Sequence, residues 1–322
     1  MAISEPGPVG CHPAPASRFA PERYASIAME FRCNLRCEHC MIEGTMDRLV
    51  PEPRAAFESL LAVNRAQQRW SGLILTGAEI TLHRDLPELA RRARAGGFAH
   101  VRIQTHGMHL ARRDFCERLV EAGVDEFFIS VAGADAYSHD RITRVPGSFA
   151  KTLQGLENLE AYPEVVTLTN TVVTARSYHL LPAVVERLAH LRKLMQMEFW
   201  VYWPMREDDD KGLIPRHGEV LPWLQAALAR AGALGRGVEV KNFPVCLLGP
   251  QGAAVFNGQP NLFIDPSFWQ EFMRNGFHQC VYRERCAAAE CLGLNTAYVR
   301  KYGLEADLLH PLAVDPRRRR RG

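Results

Sequence analysis

The chain has 322 residues, 47% hydrophobic and 23% charged, enough to bury a large core in one big α/β domain or two modest ones and incompatible with global disorder. No run of eighteen or more apolar residues occurs, and prolines interrupt the first thirty residues where a signal peptide needs its apolar stretch, so a cytoplasmic protein without a membrane anchor is expected. Of 39 basic residues, five form the run from Arg317 to Arg321; the other 34 face 36 acidic ones, a balance that disfavours nucleic-acid binding through a charged face.

Residues 1–22, rich in Pro, Ala and Gly without periodicity, read as a flexible leader. Short apolar runs then alternate with amphipathic stretches, the pattern of βα units around a parallel sheet. Strands are expected at 24–31, 72–76, 100–105, 126–131, 165–173 and 195–202. Helical period marks Phe57, Leu60, Leu61 and Asn64, then Phe115, Leu119 and Ala122, then Phe149, Leu153 and Leu156, then Val184, Leu188 and Leu191. A sixth helix is expected over 217–231, closed by Gly232. This assigns 23–235 to a six-unit α/β body, two units short of an eight-stranded barrel. Residues 236–306 read as an appended lobe that a bound metal would help to fold, and 307–322 as a basic tail.

Seven of the nine cysteines fall in two groups, and clustered thiols in a reducing compartment favour metal over disulfides. The first group, Cys33-Asn-Leu-Arg-Cys37-Glu-His39-Cys40, follows the first strand with spacing C-x3-C-x2-C. Three thiols on one loop suit a 4Fe-4S cluster with one iron left for a small molecule to chelate; a zinc knuckle with a distant fourth ligand is the alternative. The second strand ends in Thr76-Gly77-Ala78-Glu79, where a glycine permits close approach and a carboxylate supplies a countercharge.

From Tyr24 to about Met205 these motifs resemble the radical S-adenosylmethionine (SAM) enzymes. The resemblance implies a partial (β/α)6 TIM-type barrel, with Cys33, Cys37 and Cys40 holding a 4Fe-4S cluster that SAM completes through its amine and carboxylate. It implies reductive cleavage of SAM to a 5′-deoxyadenosyl radical. By the same resemblance His39 lies near the adenine, Gly77 and Ala78 approach the methionyl group and Glu79 meets its ammonium. Ala78 stands where the family has a second glycine. Ser130 and Asn170 are similar to positions that bind the cofactor's ribose or carboxylate, and Arg141 or Arg144 is a further partner for that carboxylate, with a surface ion pair as the alternative. His106, in a Thr-His-Gly that is similar to the family's Thr-Asn-Gly, either reaches substrate or caps its loop. Tyr202 belongs to a strand whose alternation sends Glu198, Trp200 and Tyr202 to one face. Cys116 reads as a core helix residue, and a spare thiol could also serve as a hydrogen donor. The acidic run 207–210 reads as a solvated loop.

The second group, Cys246, Cys280, Cys286 and Cys291, has the number of thiols that saturates a 4Fe-4S cluster, with zinc as the alternative. It resembles the C-terminal auxiliary-cluster regions of SPASM and twitch type, which implies a second 4Fe-4S cluster and favours a net oxidation. The expected function is a radical SAM oxidoreductase acting on a ribosomally made peptide, by oxidation or crosslinking, with a flavodoxin- or ferredoxin-type reductant. A dehydrogenase or epimerase of a specialised small metabolite, and a non-enzymatic zinc or iron-sulfur scaffold, are the other readings.

Overall fold

Eight short runs form one parallel sheet: β1 (Tyr24–Glu30), β2 (Gly72–Gly77), β3 (His100–Thr105), β4 (Glu126–Ser130), β5 (Val166–Val173), β6 (Leu194–Val201), β7 (Gly237–Lys241) and β8 (Asn261–Phe263). Their order is β7-β6-β5-β4-β3-β2-β1-β8. The computed structural model describes residues 20–44, 47–288 and 290–313; Cys11, nearly all of the expected leader and the arginines from Arg317 to Arg321 lie outside them.

The first six strands occupy the expected positions because each is long enough to show its pattern. The last two come from the segment read as a lobe and attach to opposite edges, β7 to β6 and β8 to β1. With five and three residues they are too short for alternation to stand out. Among the described residues the sheet therefore has eight strands rather than six, the architecture of a partial TIM-type barrel.

Helices α1 (Arg54–Gln67), α2 (Leu86–Ala95), α3 (Arg113–Glu121), α4 (Ala136–Thr143), α5 (Ser148–Leu159), α6 (Leu181–Arg187) and α7 (His217–Ala233) lie between the first seven strands. In α1 the buried residues are the periodic set Phe57, Leu60, Leu61 and Asn64. Phe57, Leu60 and Leu61 pack with Ala25, Ile27 and Met29, the outward positions of β1, in the main core. Helix α6 stops before Leu188 and Leu191, which are buried beyond its end. The reason is Arg236, whose Nη2 donates to the carbonyls of Leu188, Ala189 and Leu191 at 2.8, 2.9 and 3.1 Å and so satisfies a non-helical turn.

Two short helices follow, α8 (Pro266–Phe272) and α9 (Thr296–Tyr302). Tyr298 of α9 is fully buried; its hydroxyl accepts the His217 N–H at 3.0 Å and its ring stacks on the His217 imidazole at 4.0 Å. The acidic run 207–210 is solvated at Glu207, Asp208 and Asp210 and is tied to α9, where Arg300 pairs with Glu207 and Asp208, and Lys301 with the buried side chain of Asp209.

Burial pushes His217 down to about 3, so the folded protein holds it neutral. Above pH ~6.5 both folded and unfolded states are neutral there and no penalty exists; below it the unfolded state alone takes up the proton. The expected loss from His217 is about 2 kcal/mol between pH 6.5 and 5. H217F should remove that component in denaturant titrations at the two pH values, and an unchanged pH dependence would exclude it.

Candidate active site

Residues in register on parallel strands share a face, and one such row crosses Ser130, Asn170, Glu198 and Glu239. The row below it runs through Phe128, Leu168, Gln196 and Gly237. These inner faces enclose a cavity of about 480 Å³, within the range of small-molecule sites. Its floor carries Tyr24 and Arg102, both bonded to the fully buried Glu126 at 2.8 and 3.0 Å. Its upper wall includes Cys33, His39, Cys40, Gly77 and Ala78.

The loop after β1 is held from several sides. Glu30 accepts from Arg32 through Nε at 3.0 Å and Nη2 at 2.6 Å. The N–H groups of Arg36 and Glu38 donate to Thr143 and Ile142 at the end of α4, at 3.1 and 2.9 Å. Arg176 donates to the Glu38 carboxylate at 2.8 Å and Lys211 to the Glu38 carbonyl at 3.0 Å. Burial pushes the Cys33 thiol up to about 11 and Cys37 up to about 12, and it raises Cys40. Backbone N–H groups face the sulfurs, Leu35 donating to Cys33 at 3.4 Å and Ile42 and Glu43 facing Cys40. Buried thiols backed by N–H donors are suited to ionising on a metal, and thiolates are the ligand type of a 4Fe-4S cluster.

Gly77 must be glycine. Its φ is +148°, and a Cβ there would sit 1.8 Å from the Glu30 carbonyl oxygen. That closeness lets Ala78 donate its N–H to the same oxygen at 2.7 Å and locks the end of β2 to the end of β1.

Glu79 is fully buried and does not reach the cavity wall. One oxygen accepts from the Thr81 N–H at 3.0 Å, the Thr81 hydroxyl and the Thr105 hydroxyl at 2.6 Å. The other accepts from the His106 N–H at 2.9 Å and lies 3.0 Å from His106 Nε2. The Met108 N–H donates to His106 Nδ1, so the ring proton is on Nε2, which also reaches Asn34 Oδ1 at 2.7 Å. Burial lowers the His106 pKa while the Glu79 charge opposes it. His106 thus ties the cysteine loop to the ends of β2 and β3 and acts on its neighbours' positions.

Residues 30–186 match the family model described as Radical SAM superfamily. A probable GTP 3',8-cyclase of Methanopyrus kandleri is 31% identical over 172 residues, 53% of this chain and 54% of the relative. An AdoMet-dependent heme synthase of Methanosarcina barkeri is 28% identical over 201 residues, 59% of this chain and 54% of the relative. The chain spans about half the length of these curated relatives. In the solved structure of anSMEcpe with bound AdoMet the fold agrees with a TM-score of 0.55 at 15% identity, over 67% of this chain and 63% of that one. For Streptococcus suis SuiB bound to precursor peptide SuiA the TM-score is 0.54 at 14% identity, over 67% and 48%. Over residues 30–186, just under half of its length, this chain is similar to the Radical SAM superfamily.

A Radical SAM domain implies a 4Fe-4S cluster and SAM, and the three thiols of the β1 loop fit that cluster by type, burial and N–H support. His39 lines the cavity; burial pushes it down to about 4, and its Nδ1 has no partner among the described residues. Asn170 lines the cavity, whereas Ser130 and Arg141 are exposed and do not. Tyr202 lines it near Cys40, with its phenol raised by burial. Cys116 is fully buried in α3, donates to the Leu110 carbonyl at 3.0 Å and has its thiol pushed up to about 12 by burial. It packs in the main core rather than on the cavity wall.

Of strand six, Glu198 and Trp200 face the cavity as alternation requires, and Phe199 faces the core. Trp203 also reaches the cavity because the strand ends at Val201 and the chain turns inward there. Glu239 and Lys241 lie on β7, whose five residues Gly-Val-Glu-Val-Lys are too few for their period of two to mark a strand. Asn34, Arg176 and Lys211 carry no sequence signal, since their partners are distant in the chain.

The four late cysteines come together. The Cys246 thiol is raised by burial and then by its neighbours Cys291, Cys280 and Cys286. Each sulfur faces a backbone N–H: His310 at Cys246, Tyr282 at Cys280, Leu312 at Cys286 and Gly293 at Cys291, the last three at 3.4 Å. Two of these donors, His310 and Leu312, come from the segment expected to be tail.

Proposed function

We propose that this chain is a radical SAM oxidoreductase with a second, auxiliary 4Fe-4S cluster on Cys246, Cys280, Cys286 and Cys291, and that it oxidises or crosslinks a peptide. The observation that carries this reading is the convergence of four thiols, each backed by a backbone N–H, on a chain that already holds the three-thiol loop. When bound, the first cluster and SAM supply a 5′-deoxyadenosyl radical that abstracts hydrogen from the substrate. Cys33, Cys37 and Cys40 hold that cluster, and Gly77 and Ala78 offer backbone to the methionyl group. Glu79 fixes the strand ends behind them. His39 borders the adenine, while the rings of Trp200, Tyr202 and Trp203 exclude water. Four protein ligands leave the auxiliary cluster no open iron, which suits an electron acceptor and therefore a net oxidation. The peptide assignment is supported by the precursor peptide in SuiB, whose fold is shared.

No helix among the described residues is long and apolar enough to cross a membrane, which accords with a cytoplasmic enzyme served by a flavodoxin- or ferredoxin-type reductant. Anaerobic reconstitution should yield a brown protein with about eight irons per chain. After reduction it should convert SAM to 5′-deoxyadenosine. About four irons with zinc on the late cysteines would remove the auxiliary cluster from the proposal.

Leu312→Pro deletes the N–H that faces Cys286. That donor stabilises the extra negative charge of a reduced cluster, so the auxiliary potential is expected to shift negative while the iron content stays the same. A redox titration followed by electron paramagnetic resonance reads this directly, and an unmoved potential would show that Leu312 does not tune the cluster.

A further inference from the structure

The cavity wall formed by β6 and β7 is acidic. Glu198 and Glu239 are partners in register on these neighbouring strands, and both line the cavity. Gln196 Nε2 donates to one Glu198 oxygen at 3.0 Å and Trp200 Nε1 to the other at 2.7 Å, which fixes that carboxylate in the wall. Lys241 lies 3.6 Å from Glu239, and its ammonium donates to the carbonyls of Phe256 and Gly258 at 3.2 and 3.3 Å. On this wall two carboxyl groups stand beside one ammonium. Burial and the Glu198 charge push Glu239 up to about 7, the behaviour of a carboxylate short of a cation.

A second observation points to a ligand. Asn170, next to Glu198 in the same row, is 8% exposed, and its Oδ1 has no partner among the described residues. The row therefore presents acceptors from three adjacent strands. A divalent metal does not suit it, because the described residues bring no third His, Cys, Asp or Glu ligand close to the pair. The sulfonium of SAM belongs with the cysteine loop and Gly77, on β1 and β2 across the barrel.

We propose that the substrate presents a cationic nitrogen, an ammonium or guanidinium, to the Glu198 and Glu239 carboxylates. This rests on reading the cavity as the substrate chamber of a radical SAM enzyme. In a peptide the group is a lysine or arginine side chain, and in a metabolite an alkylamine or alkylguanidine. A guanidinium satisfies the row best, since its planar fork can donate to both carboxylates at once.

The test uses the reconstituted full-length protein with SAM bound and measures binding calorimetrically. The probes are N-acetyl-arginine amide, its uncharged isostere N-acetyl-citrulline amide, and agmatine, which carries the cation without peptide groups. The arginine probe should bind at least about tenfold more tightly than the citrulline probe. That preference should disappear in both E239Q and E198Q, with SAM affinity retained. Agmatine binding as well as the arginine amide would assign the site to a metabolite amine, and weaker agmatine binding to a peptide; both support the cation. Equal binding of citrulline and arginine probes, no binding of any probe, or a preference that survives E239Q and E198Q would overturn it. Failure of the underlying reading looks different, as intact clusters that form no 5′-deoxyadenosine on reduction.

Discussion

Replacing Cys33 with alanine is expected to abolish cofactor cleavage while leaving the fold in place. Its thiol sits on a loop already held by Glu30, by the end of α4 and by Arg176 and Lys211, none of which needs the sulfur. Iron should fall from about eight to about four per chain, because two thiols do not hold a cubane. Formation of 5′-deoxyadenosine should drop to background, a loss of more than about a thousandfold when the open iron that positions SAM is gone. Iron analysis, product chromatography and a circular dichroism melt settle the point together. Retained product formation by C33A would place the reaction centre elsewhere and defeat the radical SAM assignment of this loop.

Glu79→Ala should produce the largest change in stability. The carboxylate is fully buried and serves five donors from Thr81, Thr105 and His106. Removing it leaves buried donors without acceptors at the ends of β2 and β3 and releases Asn34 on the cysteine loop. The expected cost is about 3–5 kcal/mol, the range for breaking a buried charged network, or a fall of roughly 10 °C in melting temperature. E79Q should be intermediate, since an amide keeps one acceptor and aims a donor at donors. The E79A protein should also incorporate the first cluster poorly even where it remains folded. A loss below about 1 kcal/mol in denaturant titration would mean that water replaces the carboxylate and that the network does not hold this end of the barrel.

Local pattern was enough for much of this chain. Strands β1 to β6 and helices α1, α3, α5 and α7 were legible because period two and period 3.6 are written within a few residues of each other. The C-x3-C-x2-C spacing and the Gly77 turn were legible for the same reason, since one short segment contains the whole signal. Glu79 shows the limit. Its place after a strand marked it as a site residue, but only the packing shows that its charge is met by Thr81, Thr105 and His106 and not by the cavity. Cys116 shows the converse, a thiol whose place in the core is legible in the sequence and matched by the packing.

The eight-stranded sheet, the hold of His310 and Leu312 on the late cysteines, and the acceptor row through Asn170, Glu198 and Glu239 belong to the tertiary structure alone. Each joins residues that are dozens of positions apart and share no spacing rule. Their relation is set by strand order, register and the path of the closing segment. Residue type determines what chemistry a group can do, and the fold decides which groups it meets and whether water reaches them.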